Sequence, residues 1–290
     1  MKNALSIDVE DYFQVAAFED NIERDSWDSI ECRVERNTER FLALTEQRGI
    51  KATFFILGWI AERYPGLIKK IVAHGHEIAC HGYGHQLIYK QIPATFRRET
   101  EYSKKLLEDI SQQPVCGYRA ASYSVTPESL WALNIIAELG FTYDSSIYPV
   151  KHDRYGLTGG PHQPYLIDLN NGAQLKEFPI TTANLMGYRL PVGGGGYFRL
   201  FPFAVTRYCL QLRSRQTNAP FVFYLHPWEL DPSQPRVQGA SLISKFRHYN
   251  NLHKVEPRLL RLFDLFDFDT VQAVLDDVEY FPTHSYANSF

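Results

Sequence analysis

Cysteine is scarce and unpaired in this chain. Cys32, Cys80, Cys116 and Cys209 are the only four among 290 residues, and none belongs to a Cys-x-x-Cys pair. That spacing excludes a zinc ribbon and a dense disulfide framework, and it fits reduced, mostly buried thiols. A basic excess is missing too: the formal net charge is -3, which argues against a nucleic-acid binder with its basic patch and high pI. No stretch approaches the roughly 20 apolar residues needed to span a bilayer. The opening run Ala4–Val9 is too short for a signal-peptide core, and acids follow it rather than a cleavage site. There is no Asn-x-Ser/Thr sequon, internal repeat or low-complexity tract. These absences set the expectation of a soluble cytoplasmic protein, free or at the inner face of the membrane.

Apolar residues make up 44% of the chain, enough for a large core, and 290 residues suit one barrel-type α/β domain. Aromatics reach 14%, with 18 Tyr and 19 Phe. Most of these rings serve a core, and some can stack on the apolar faces of sugars.

Along the first two-thirds, strand-like and helix-like segments alternate. Strands are expected at 4–9, 52–57, 77–80, 115–118 and 141–143, and helices at 33–48, 65–73, 94–110 and 126–139. Thr126-Pro127 opens the last helix with a hydroxyl cap and proline at the first position. Such alternation implies parallel strands with helical crossovers, in an α/β barrel or a doubly wound sheet. Residues 150–220, with Gly159-Gly160-Pro161 and Gly193–Gly196, read as long loops and short strands inserted over the barrel face. A last strand follows at 221–225, then an amphipathic helical extension at about 240–280.

Chemistry-bearing residues follow the strands, at the rim where active sites of such folds gather. Asp8, Glu10 and Asp11 close the first strand; three acids there repel one another unless a cation or arginine is near. Asp8 and Glu10 share one side if the strand continues through them. His81 and His85 lie four apart, and one helical turn would let both reach an ion. Arg119 supplies a bidentate partner for a carboxylate, and His226 sits at the end of the last strand. Each has a blander reading as a solvated strand end, a chance pair, a surface arginine or a core histidine. His74 and His76 are not assigned as ligands. A glycine run without Gly-Lys-Ser/Thr is no phosphate loop. Gly193–Gly196 is either a flexible connector or a mobile lid carrying Tyr197.

The ordered set resembles the NodB-type polysaccharide deacetylases, carbohydrate esterase family four. It consists of Ser6-Ile7-Asp8-Val9-Glu10-Asp11, Gly75 through His85, Arg119 through Tyr123, Tyr143-Asp144 and Leu225-His226, spanning roughly residues 4–228. The insert and tail look most like the subgroup linked to bacterial exopolysaccharide loci. The resemblance implies a deformed (β/α) barrel of about seven strands in a single domain over 1–290. It implies one divalent ion, Zn²⁺ by default with Co²⁺ or Ni²⁺ able to substitute, held by His81, His85 and either Glu10 or Asp11. Asp8 would be the general base, paired with Arg119. The Tyr123 backbone N–H would stabilise an oxyanion, and His226 would protonate the leaving amine. Trp228 is a candidate wall of the acetyl pocket. The implied partner is an N-acetylated polysaccharide or a lipid-linked oligosaccharide modified before export.

The sequence departs from the family pattern in three places. The first motif has Asp-Val-Glu-Asp in place of adjacent aspartates, the fourth lacks its tryptophan around Asp144, and the last reads Leu-His-Pro. Two rival expectations follow. One is a metal-free allantoinase-like or cyclic-imide amidohydrolase; the other is a non-catalytic carbohydrate-binding protein on the same scaffold.

Overall fold

The computed structural model describes residues 1–150, 155–169 and 171–286. Its elements in chain order begin with β1 (Asn3–Val9), α1 (Val34–Glu46), β2 (Thr53–Ile56), α2 (Gly58–Arg63), α3 (Pro65–Ala73) and β3 (Glu77–Cys80). They continue through α4 (Pro93–Ser111), β4 (Gly117–Tyr118), α5 (Trp131–Glu138), β5 (Tyr143–Asp144), β6 (Tyr165–Asp168) and β7 (Gln174–Glu177). Next come β8 (Thr182–Leu185), β9 (Tyr188–Pro191), α6 (Gly195–Leu200), α7 (Phe203–Thr217) and β10 (Val222–Leu225). The chain ends with α8 (Leu242–Tyr249), α9 (Val255–Phe263), β11 (Phe268–Asp269), α10 (Val271–Asp276) and β12 (Thr283–Ser285).

The sheet runs β10-β1-β2-β3-β4-β5-β7-β6-β12, with β11 on β1 and a separate β8–β9 hairpin. All neighbours from β10 to β7 pair in parallel. Parallel strands buried on both faces read as near-continuous apolar runs, as in the fully buried β1. The two-residue alternation still sorts its side chains. Leu5, Ile7 and Val9 join the large outer core under the helices, whereas Ala4 belongs to a smaller cluster with Phe55, Ala79 and Tyr143. Between β7 and β10, the Thr181 hydroxyl bonds both Val222 N and O, and Tyr224 N donates to Gly193 O. These bonds close the deformed barrel.

One end of this arrangement is sealed. Tyr143 donates to Glu77 at 2.7 Å, and Glu77 also accepts from Gln272 N at the start of α10. Gly117 is required beside Tyr143, because a Cβ there would overlap the phenol ring. The other end carries the residues singled out above.

The insert departs from expectation. Residues 150–220 contain the 15-residue helix α7 as well as α6. The buried members of α7 are Phe203, Thr206, Cys209, Leu210 and Arg213, so two of its inward positions are polar and the apolar stripe is broken. Nor is the glycine run a loose connector. Gly194 has φ +129°, and a Cβ there would overlap the Tyr224 carbonyl oxygen. The run is packed against β10 and then starts α6. The expected helix at 126–139 divides into a capped turn, Pro127–Ser129, and α5. The tail adds strands β11 and β12 to its helices.

Candidate active site

Asp8 leaves the end of β1 and meets Arg119 just past β4. Arg119 is fully buried. Its Nη1 donates to Asp8 Oδ1 at 2.7 Å and to Ser6 Oγ at 2.7 Å, and its other nitrogens reach Ser145 O and Oγ. Its planar fork also lies 4.1 Å over the Phe55 ring. Four of the five N–H donors of the guanidinium are thereby engaged, so Asp8 is held by a firmly oriented cation.

Beyond β1 the chain turns, with Glu10 N donating to Asp8 O at 3.0 Å. Glu10 therefore swings toward the histidines and away from Asp8's partner. One ligand atom from each of Glu10, His81 and His85 lies within 4.8 Å of the others, and all three residues are buried. The His pair is not on a helix. Gly82 has φ +74° and His85 φ +51°, and Gly58 N and Trp59 N tie the bend through Gly82 O and Tyr83 O. The bend brings the two imidazole centroids to 5.4 Å. His81 Nδ1 is 2.8 Å from Arg119 O, so that nitrogen carries the proton and Nε2 keeps its lone pair for the cluster. Burial lowers the His81 pKa to about 4, leaving it neutral and able to ligate.

Burial alone would raise the Glu10 pKa; His85, His226 and His81 outweigh it and hold the carboxylate well below its usual range. Glu10 Oε2 and His85 Nε2 approach to 2.7 Å without the alignment of a hydrogen bond. Among the described residues Oε2 has no hydrogen-bond partner, and neither has His85 Nδ1. An orphaned buried carboxylate oxygen facing two imidazoles fits a divalent cation.

Asp11 is placed elsewhere. Its carboxylate accepts from Tyr12 N at 2.7 Å and from Arg33 N at the start of α1. It caps a helix and lies outside the Glu10–His81–His85 group, because the turn at Glu10 sends consecutive acids in different directions.

His226 stands on the opposite flank. Its Nε2 is 3.6 Å from Glu10 Oε1, and its Nδ1 is 2.9 Å from Glu229 Oε2. Glu229 is in turn paired with Arg199 at 2.6 Å, fully out of solvent. Burial would lower the His226 pKa, but Glu10 and Glu229 raise it to about 9. Trp228 Nε1 donates to Glu10 Oε1 at 3.1 Å, and its ring is stacked between His226 (5.2 Å) and His248 (4.1 Å). Trp228 thus orients the carboxylate as well as walling the site.

Two expectations need correction. The Tyr123 N–H already donates to Ala120 O at 3.0 Å, so it is not a free oxyanion donor. Its phenol instead points to Asp8 Oδ2 at 3.4 Å. Ser122 and Tyr123 both have positive φ, 50° and 56°, a strained pair of the kind found at functional sites. Tyr197 is half-buried beside Phe201, on a helix pinned by Arg199. The buried Asp144 carboxylate accepts from Ser146 N and Oγ. His74 and His76 stay outside the cluster, with His76 Nδ1 accepting from Ala52 N.

Glu229 and Arg199 were not singled out from the sequence. Glu229 had a signal: His226-Pro227-Trp228-Glu229 has capping-box spacing with proline at the first position, and the His226 backbone N–H donates to Glu229 Oε2. Arg199 had none, because its partner is brought from another segment.

The comparisons accord with this fold and site, for the first half of the chain matches a polysaccharide deacetylase domain. Residues 21–143 match the family described as "Polysaccharide deacetylase", and residues 145–276 match a "Domain of unknown function (DUF3473)". The second segment contributes His226, Trp228, Glu229, Arg199 and His248, and both segments build one sheet.

Among curated relatives, a peptidoglycan-N-acetylglucosamine deacetylase of Bacillus cereus is 32% identical over 74 residues, 26% of this chain and 27% of that protein. A chitooligosaccharide deacetylase of Bradyrhizobium is 28% identical over 102 residues, 35% of this chain and 47% of that one. The chain thus spans less than half the length of these relatives. A solved structure described as a putative polysaccharide deacetylase from Mycobacterium smegmatis superposes with a TM-score of 0.63 at 18% identity, covering 96% of this chain and 90% of that one. PuuE allantoinase superposes at 0.56 with 16% identity, covering 99% and 87%. These two establish the fold.

Proposed function

We propose that the protein removes N-acetyl groups from N-acetylhexosamine units of a polysaccharide or lipid-linked oligosaccharide in exopolysaccharide synthesis, using one divalent ion, zinc by default. The observation that carries this reading is the buried Glu10–His81–His85 group lying beside a separately held Asp8–Arg119 pair. A divalent cation bound there would polarise the acetamido carbonyl and lower the pKa of a water molecule towards about 7.

The chain's own residues do the rest. Asp8, oriented by Arg119, takes a proton from the attacking water. His226, oriented by Glu229, gives a proton to the amine nitrogen as the C–N bond breaks. Acetate and a free amino sugar leave. Trp228 and the Tyr123 phenol border the space between the two proton-transfer groups.

The test is acetate release from N-acetylglucosamine oligomers by protein as purified, after chelation, and after zinc is restored. Activity lost and regained supports the reading. Release that persists after chelation points to a metal-free amidohydrolase. Sugar binding without release in any state points to a carbohydrate-binding protein.

A further inference from the structure

α8 turns one face to the site and another to solvent. Inward, His248 stacks on Trp228 at 4.1 Å and meets the Phe18 ring at a tilt at 4.7 Å, and its Nε2 meets Gln234 at 2.6 Å. Arg199 clamps the helix end through His248 O at 2.6 Å, and Ser241 caps its start. The helix is therefore anchored to the site wall.

Outward, the same eight-residue helix carries Leu242, Ile243 and Phe246, which are 85%, 64% and 59% exposed. Residues three and four apart are neighbours on a helix, so these three form one apolar ridge. Arg247 continues that ridge and is exposed, and Lys245 flanks it. Arg236 is held nearby, 4.0 Å over the Tyr249 ring. From Pro232 to Val255 the chain has Arg236, Lys245, Arg247 and Lys254 and no Asp or Glu, although the whole chain is net negative. Large exposed apolar patches with a charged rim mark interaction surfaces.

We propose that α8 is an interfacial helix that docks the protein on an anionic lipid bilayer. The ridge projects, so a protein partner would need a groove shaped to it, whereas a bilayer admits protruding apolar side chains without one. The surrounding cations match the negative lipid surface. Because the inner face of α8 packs on Trp228, docking brings that flank of the site to the membrane surface. Among the described residues no helix is long and apolar enough to cross a membrane. The docking does not depend on the reaction proposed above.

The test is co-sedimentation of the full chain with phosphatidylcholine vesicles, with and without phosphatidylglycerol, in low and high salt. Binding is expected to the anionic vesicles and to weaken with salt. The combined variant Leu242→Ser, Ile243→Ser, Phe246→Ser should lose it while keeping acetate release from soluble oligomers. Lys245→Glu with Arg247→Glu should weaken partitioning at least about thirty-fold, since each cation near such a surface contributes about 1 kcal/mol. No vesicle binding by the parent chain would overturn the proposal, as would equal binding by the triple variant. So would a shift of the triple variant from dimer to monomer on gel filtration, or a loss of polysaccharide binding alone. The vesicle assay contains no substrate, so failure here and failure of the deacetylase reading are separable.

Discussion

Glu229 receives His226 twice: its Oε2 lies 3.0 Å from the His226 backbone nitrogen and 2.9 Å from Nδ1, while Oε1 takes Arg199 at 2.6 Å. The carboxylate sets the ring's orientation and favours its protonated form, and Arg199 keeps the carboxylate charged. Arg199 lies in the last turn of α6, the short helix that the glycine run starts, so that run helps to place the partner of Glu229.

Glu229→Gln should therefore lower kcat by about ten- to a hundred-fold, the range for losing a partner that orients a working histidine. It also leaves Arg199 buried without its charge partner, costing about 3–5 kcal/mol of stability. Urea unfolding and kcat measured on the same preparation separate the two effects. Unchanged kcat in a destabilised variant would confine Glu229 to a structural role.

Asp8→Asn should abolish the general base, costing about 10²- to 10⁴-fold in kcat, with KM nearly unchanged. Arg119→Lys should also impair activity, because a point charge cannot satisfy Ser6, Asp8 and Ser145 together. Wild-type kinetics in either variant would remove the pair from the mechanism.

Glu10 and Asp11 separate by experiment. Glu10→Gln should lose metal in elemental analysis. Asp11→Asn should keep metal but lose about 1 kcal/mol of stability through weaker capping of α1. Metal lost from the Asp11 variant alone would reverse the ligand choice.

The buried Glu177 predicts a pH effect. Burial, with Asp144 adding, raises its pKa well above the ordinary 4.5. The folded chain keeps this proton after the unfolded chain has lost it. The group's stabilising contribution is complete below about 4.5 and declines as pH rises towards the folded value. Glu177→Gln keeps the size and a donor, so it should flatten the fall in urea midpoint as pH rises above about 4.5. An unaltered slope would place that fall on other groups.

Much of the site was legible because parallel α/β folds place chemistry after strand ends. Asp8, His81, Arg119 and His226 each follow an apolar run; the structure puts Asp8 in the last two residues of β1 and the other three just past β3, β4 and β10. The inward side of α3 is wholly apolar, with Leu67, Ile68 and Ile71, whereas α7 hides Thr206 and Arg213 on its inward side. The chain itself thus determined the order of strands, helices and reactive residues, through local periodicity. Only the tertiary structure decided which acid joins the histidines, because one turn after Asp8 sends Glu10 and Asp11 apart. It also decided that Tyr123 presents its phenol and not its N–H, and that Arg199 reaches Glu229 across 30 residues. Those choices depend on backbone direction and on burial of charge against distant partners, which spacing along a chain does not encode.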